Sequence, residues 1–555
     1  MDNLSFINSE RHRNVEDYLV LEAPQIIGRG TWLDRVASEI VEREKQLGRA
    51  PEVVKVESGL AASGLPHIGS YGDAARAYGV KLALESLGRK AELIAFTDDK
   101  DGLRKVPAGF PKTLSKYIGF PVSSIPDPFD CHGSYGAHMS GLLLDALDKT
   151  AVKYRHVSGT KAYQDGLFNQ QIDKILASAK RVGEIIKETM GQEKYTEVLP
   201  YFPVCESCGR IYTTRALEYV RDRHVVTYSC DGMELHGSML EGCGHKGEVD
   251  VFSGNGKLSW KVEFAARWSA LMINYEAYGK ELIDSVKAND RIMEEILGEQ
   301  PPYHTRYEHF LDKTGAKVSK SVGNVLAPQL WLRYAPPQTL LLLMYKRSVG
   351  SRAIWVKDIP TYIAELDELE DVYFGKREVK DRKELARLRG LYEYVWGLSP
   401  PKYPSVHVPH NLLVYLVKVA PKGKEKEFVL EKLRGYGYNI DPEDRSFQER
   451  LEHAANWAIE VDTIATRTIQ IQPDERDAML ELAGIINASD DENYLQNAIF
   501  TSARKHNLQT GAFFKTLYRV LIGSDSGPRL GPYILAMGRE NVAAALAAAA
   551  RTAIK

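Results

Sequence analysis

A short apolar run, "PEVVKVESG" from residue 51, gives way to a turn holding Gly59, Gly64, Pro66, His67 and Gly69. A helical pattern follows to about Leu87, and then "RKAELIAFTDD", a second apolar run that ends in acidic residues. This strand–helix–strand alternation limits the fold more than any other feature of the chain. A helix between two strands returns the chain to its starting edge, so the strands run parallel and helices cover both faces of their sheet. The reading is an α/β domain built on a doubly wound parallel sheet, with its ligands at the carboxyl ends of the strands. Upstream, "TWLDRVASEIVEREKQLG" at 31–48 reads as a helix with Thr31 as N-cap. Residues 150–200 read as mostly helical and 200–250 as short strands around four cysteines. "GKLSWKVEFAARWSALMINYEAYG" then returns to strand and helix, as if the first sheet resumed. From about Arg382 only helical periodicity is visible, broken by Gly and Pro.

At 555 residues the chain is too long for one hydrophobic core, and three or more domains are expected. With 44% hydrophobic and 26% charged residues it belongs to the globular class. A net charge of −2 supplies no global attraction to nucleic acid, so any such binding rests on local basic surface. The start, "MDNLSFINSERHRN", lacks the apolar core of a signal peptide, and no apolar run reaches membrane-spanning length. The expectation is a soluble, cytoplasmic chain, monomeric by default, without membrane contact. In that setting four cysteines between 205 and 243 read as metal ligands before disulfides.

If the opening turn joins a strand to a helix, it delivers backbone N–H groups at a helix N-terminus, a favourable place for phosphate. Gly69 would let a nucleotide approach without a Cβ in the way, and His67 could donate to a phosphate oxygen. A glycine-rich turn with a packing histidine is the alternative. A second stretch bears on the choice. "LDKTGAKVSKSVGNV" at 311–325 carries Lys317 and Lys320 among serines and glycines, two point charges suited to a triphosphate losing pyrophosphate.

Together "PHIGS" (66–70) and "KVSKS" (317–321) resemble the HIGH and KMSKS signatures of class I aminoacyl-tRNA synthetases, with Ser70 at the last His and Val318 at the Met. "FTDDKDGLRKVP", "GKLSWKVEFAARW", "PPYHTRYEHFLDKTGAKVSKSVGNV" and "GPRLGPYILAMGRENV" are similar to class I lysyl-tRNA synthetases. The resemblance is dense over about 22–345 and looser beyond. It implies a Rossmann-type catalytic domain, Mg²⁺-dependent use of ATP, activation of L-lysine to lysyl-adenylate, and transfer to tRNA(Lys). It assigns Pro66, His67, Gly69, Ser70, Lys317, Ser319, Lys320 and Ser321 to ATP, with His67, Ser70, Lys317 and Lys320 in catalysis. Gly59, Ala61, Trp260, Glu263, Tyr275 and Glu276 fall to lysine, whose ε-ammonium needs a carboxylate and benefits from an aromatic face. Ala61 stands where the family carries threonine, Glu263 where it carries aspartate, and Leu282 where it carries histidine. Asp98 and Asp99 are further substrate candidates, and Asp101 reads as paired with Arg104 and Lys105.

The cysteines Cys205, Cys208, Cys230 and Cys243 have the spacing of a zinc ribbon, with His245 competing with Cys230 for the fourth position. The segment between the last two cysteines reads as an inserted loop. Asp127, Cys131, His132 and His138 also have ligand chemistry, and their matching positions in the lysyl family resemble a second zinc site. The expected division is an N-terminal extension and first half of the catalytic domain (1–150), a zinc-bearing insertion (151–255) and the second half (256–310). A signature-loop and stem-contact region (311–381) and an all-α anticodon-binding region (382–555) follow. In the last, "KGKEKEFVLEKLRGYGY" sets aromatics beside lysines, as unstacked RNA bases would use. Two other readings stay open: a class I enzyme for glutamate or arginine, and a synthetase-like RNA-binding protein without aminoacylation.

Overall fold

A computed structural model describes residues 26–235, 237–308, 310–311, 326–348, 350–461, 471–522 and 529–552. Helix α1 (Trp32–Gln46) is closed by a capping box, with the Asp34 carboxylate accepting from the Thr31 N–H at 2.9 Å. β1 (Val54–Leu60) follows, then α2 (Ile68–Ser86) and β2 (Ala91–Thr97). α2 is buried nearly all round, Arg76 included, as a helix sandwiched between the sheet and further helices must be. After α3 (Tyr135–Lys149) the chain adds β3 (Arg155–Ser158).

The central sheet has five parallel strands in the order Tyr303–Tyr307, Tyr275–Gly279, β1, β2, β3. β1 pairs with β2 from Val54↔Ala91 through Leu60↔Thr97, and on its other edge Val56 pairs with Tyr275. The order therefore reverses beside β1. A doubly wound sheet opens its ligand crevice at such a reversal, beyond the carboxyl ends of the strands on either side.

Two details differ from the sequence reading. β3 completes the sheet, so the residues from 151 do not all belong to the insertion. "GKL" does not resume the sheet: Gly256–Leu258 pairs antiparallel with Tyr201–Pro203, and the parallel sheet resumes only at Tyr275. Three alternating residues are too short to declare which sheet they join.

The inserted segment contains the helices Gly159–Gln164, Asn169–Ala177 and Ala179–Met190. Three antiparallel strands, Thr214–Val220, Val225–Cys230 and Lys246–Asp250, come next. The stretch between the last two cysteines is a hairpin, Gly232–Leu235 with Ser238–Glu241, rather than an open loop. The described residues beyond Arg382 contain helices and turns. The main core draws on residues from Leu33 in α1 to Ala458, past the expected boundary at 382; the insertion and the helix Trp260–Leu271 pack a second core, and residues 478–550 enclose one of their own. Among the described residues no helix is long and apolar enough to cross a membrane.

Candidate active site

At the mouth of the crevice, His67 is the N-cap of α2. The Gly69 and Ser70 N–H groups donate to its Nδ1 at 3.0 and 3.2 Å. The Ile68 N–H donates to the Leu326 carbonyl and the Tyr71 N–H to the His67 carbonyl. The donors that the sequence reading offered to phosphate are thus already engaged within the chain. A ring nitrogen accepting two N–H groups carries no proton, so in the neutral ring the proton sits on Nε2 and that edge is a donor. Gly69 has a different task from the expected one: a Cβ there would lie 2.7 Å from His67 Cε1, so its absence lets the imidazole fold back over the helix end.

Beyond the carboxyl ends of β1 and Tyr275–Gly279 lies a cavity of about 300 Å³. Gly59, Ala61, Ser70, Trp260, Glu263 and Glu276 line it, and so do Asp98, Asp101 and Leu282. Trp260 opens the helix Trp260–Leu271, with the Lys261 ammonium over its ring at 3.6 Å. Two buried cations organise the carboxylates. Lys257 pairs with Asp101 and, at 2.8 Å, with Glu263. Arg267 stands 2.8 Å from Glu57, 3.1 Å from Asp98 and 3.5 Å from Glu276. Glu263 also accepts from the Tyr163 hydroxyl at 2.7 Å, and Glu276 from the Trp268 indole N–H. Burial, reinforced by Asp101 and opposed by Arg267, pushes the Asp98 carboxyl up to about 7.

A family model described as tRNA synthetases class I (K) matches residues 30–395. The chain belongs to the class I tRNA synthetases. A "Lysine--tRNA ligase" of Cenarchaeum symbiosum is 47% identical over 94% of this chain and 98% of that one. Another of that name, from Rickettsia akari, is 32% identical over 91% of this chain and 96% of its own. A glutamate tRNA ligase from Elizabethkingia meningosepticum aligns at TM-score 0.32 and 14% identity over 90% of this chain and 99% of that one, too slight a likeness to argue from.

Several sequence assignments change within this synthetase. Tyr275 does not line the cavity: it is fully buried in the main core, its hydroxyl 2.6 Å from Thr305 Oγ1. Its position on a central strand faces it into the packed layer, and the neighbouring Glu276 takes the cavity side. Asp101 pairs with Lys257 rather than with Arg104 or Lys105. Asp99 points away, accepting from the Ser158 hydroxyl and the Thr160 N–H at 2.5 and 2.6 Å. Lys317, Ser319, Lys320 and Ser321 lie outside the described residues. Pro66 and His67 are near the mouth but do not line the cavity. Sequence reasoning missed Arg267, Lys257, Trp268, Phe264, His304 and Tyr307. Arg267 left one trace: with Glu263 four residues before it, it is one of two opposite charges within the otherwise apolar run "VEFAARW".

Two clusters have metal-ligand geometry. In the first, the Sγ atoms of Cys205, Cys208, Cys230 and Cys243 all lie within 4.8 Å of one another. Cys205 is 3.7 Å from Cys243 and Cys208 is 3.8 Å from Cys230. A tetrahedron with Zn–S bonds of about 2.3 Å has edges of about 3.8 Å, so four thiolates so placed fit a zinc ion. His245 is turned outward to Glu206 at 2.7 Å, leaving Cys230 in the fourth position. In the second, Cys131 Sγ lies 3.1 Å from His132 Nδ1 and 3.2 Å from both His138 Nδ1 and Asp127 Oδ2. Backbone N–H groups of Phe129, Cys131 and His132 donate to Asp127 and overcome its burial, holding its carboxyl at about 2. A carboxylate, a thiol and two imidazoles in this space also suit zinc.

Proposed function

We propose that this synthetase is a lysine–tRNA ligase, activating L-lysine with ATP to lysyl-adenylate and transferring the lysyl group to tRNA(Lys). AMP and diphosphate are the other products. The observation that carries the reading is the carboxylate-rich, aromatic-walled cavity at the strand-order reversal. It suits a substrate bearing two ammonium groups and is ill suited to an acidic one.

The chemistry needs no protein nucleophile, because the lysine carboxylate attacks the α-phosphate and diphosphate leaves; catalysis is positioning and charge stabilisation. His67, through Nε2–H, and Ser70 contact the phosphates of Mg²⁺-bound ATP. Lys317 and Lys320 offset the charge that gathers on departing diphosphate. Gly59 and Ala61 keep the cavity wall low, Trp260 supplies an aromatic face, and Asp98, Glu263 and Glu276 the negative field for lysine. Cys205, Cys208, Cys230 and Cys243 hold one structural zinc, and Asp127, Cys131, His132 and His138 a second. The helical region beyond the main core carries the anticodon contacts, and the chain works in the cytoplasm.

ATP–pyrophosphate exchange with each amino acid in turn tests the assignment. Exchange with lysine alone is expected; exchange with glutamate or arginine and not lysine overturns it.

A further inference from the structure

Arg267 is the least ordinary group in the cavity wall. Its guanidinium is 1% exposed and stacked against Phe96 and Phe264, with ring centroids at 4.5 and 5.0 Å. It is reached by carboxylates from three parts of the sheet: Glu57 in β1, Asp98 just beyond β2 and Glu276 in Tyr275–Gly279. The Glu57 contact has the distance of an ion pair but not the angle of a hydrogen bond, and neither Glu57 oxygen has a donor among the described residues. An anion so buried and so poorly served is expensive to keep unless more positive charge arrives. With Lys257 occupied by Asp101 and Glu263, five carboxylates share these two buried cations, and Arg104 in the cavity wall bears on Asp101 alone among them, so negative groups still outnumber positive ones.

We infer that Arg267 is a positioning residue of the amino-acid subsite: it fixes the cavity-lining carboxylates of Asp98 and Glu276 while leaving the cluster short of positive charge, so that an ammonium-bearing substrate completes it. The inference rests on the lysine reading above and goes beyond it by giving a role to a residue outside the predicted lysine set. Free of substrate, the cluster shares part of its deficit by holding protons: burial raises Glu57 well above the usual carboxylate range, and Asp98 is raised to about 7. The groups facing Arg267 are Glu57, Asp98 and Glu276, with Glu263 one turn back on its own helix; Asp98 also faces Asp101 and Lys257. Lysine binding therefore expels protons, and the KM for lysine rises as pH falls below about 7 while the KM for ATP does not.

The test follows lysine-dependent ATP–pyrophosphate exchange from pH 6 to pH 9 in the unaltered protein, Arg267→Gln and Arg267→Lys. Arg267→Gln should raise the lysine KM roughly tenfold or more and move its pH midpoint alkaline by about one unit, since carboxylates that lose a cation hold protons longer. Arg267→Lys should restore the midpoint while recovering only part of the affinity, because an ammonium cannot fork between carboxylates. A folded Arg267→Gln protein with unchanged lysine KM and midpoint overturns the inference alone. Absence of lysine exchange in the unaltered protein overturns the function with it. A second measurement needs no variant: titration calorimetry of L-lysine at pH 7 in buffers of different ionisation enthalpy. Proton release is expected, and binding without release overturns the inference.

Discussion

His67 serves two purposes that single substitutions can separate. Its Nδ1 closes the first turn of α2, and its Nε2 edge carries the proposed phosphate contact. His67→Ala removes both and should lose about 1 kcal/mol of stability for the missing cap, together with most adenylate formation. His67→Asn keeps an oxygen able to cap and removes the distal donor. Its melting temperature should stay near that of the unaltered protein while exchange still falls, on the order of a hundredfold. Full exchange in the His67→Asn protein would show that the ring acts only as a cap. Gly69→Ala bears on the same ring from the other side, since its Cβ would press on Cε1 at 2.7 Å. It should reduce exchange without touching any substrate.

Among the elements, the ribbon has little apolar interior of its own, and its four cysteines converge on one point. Exhaustive chelation should release two zinc ions per chain and unfold the ribbon, a loss on the order of 10 kcal/mol at the cysteine site. Zinc release followed by an indicator dye, alongside circular dichroism, checks this. A second element-scale prediction concerns the helix Ile359–Tyr373 and the segment around His407 that packs on it. Glu370 accepts from His407 at 2.9 Å and from Ser405 and Tyr392, and it is held at about 2 although burial works against that. The carboxylates raise His407 above its ordinary 6.5 in spite of burial. A raised histidine stabilises fully below 6.5 and loses its contribution as pH climbs through the folded value; a depressed carboxylate stabilises above 4.5 and loses it toward 2. The network should thus help most between these ordinary values, and the melting-temperature gap between the unaltered protein and His407→Gln should narrow above pH 7. Elements of this kind were legible in the sequence where a local rule governs them: the Thr31 cap, the β1–α2–β2 alternation and the ribbon cysteines. Tyr275 was not, because which face of a strand meets ligand depends on neighbours far along the chain. The same holds for the aromatics of "KGKEKEFVLEKLRGYGY": Phe428, Tyr436 and Tyr438 are half-buried, each with part of its ring against the main core, which the sequence did not show. Arg267 escaped notice because its three partners lie at 57, 98 and 276, a convergence that only the sheet order creates.

For the whole molecule, the break between hydrophobic cores matters more than the change from sheet to helix. The main core continues to Ala458, and residues 478–550 form another, with Tyr415 against Tyr533 among the contacts that join them. A chain ending at 461 should fold and retain lysine-dependent exchange while losing charging of tRNA; loss of exchange would show that the cores are interdependent. The start of the described chain is tied to the same unit: the Tyr394 hydroxyl donates to Asp34 at 2.5 Å, and Arg29 pairs with Glu393. Tyr394→Phe should lower unfolding free energy by about 2 kcal/mol in urea titrations with exchange intact. A different consequence follows from Gly59, whose Cβ would stand 3.1 Å from the Arg267 guanidinium. Neither position drifts freely: a side chain at 59 presses the guanidinium a few tenths of an ångström off its carboxylates, and a shorter residue at 267 leaves a void above 59. Across descendants of this gene the two should change as a pair or not at all, an inherited lock between a strand end and a helix some two hundred positions apart.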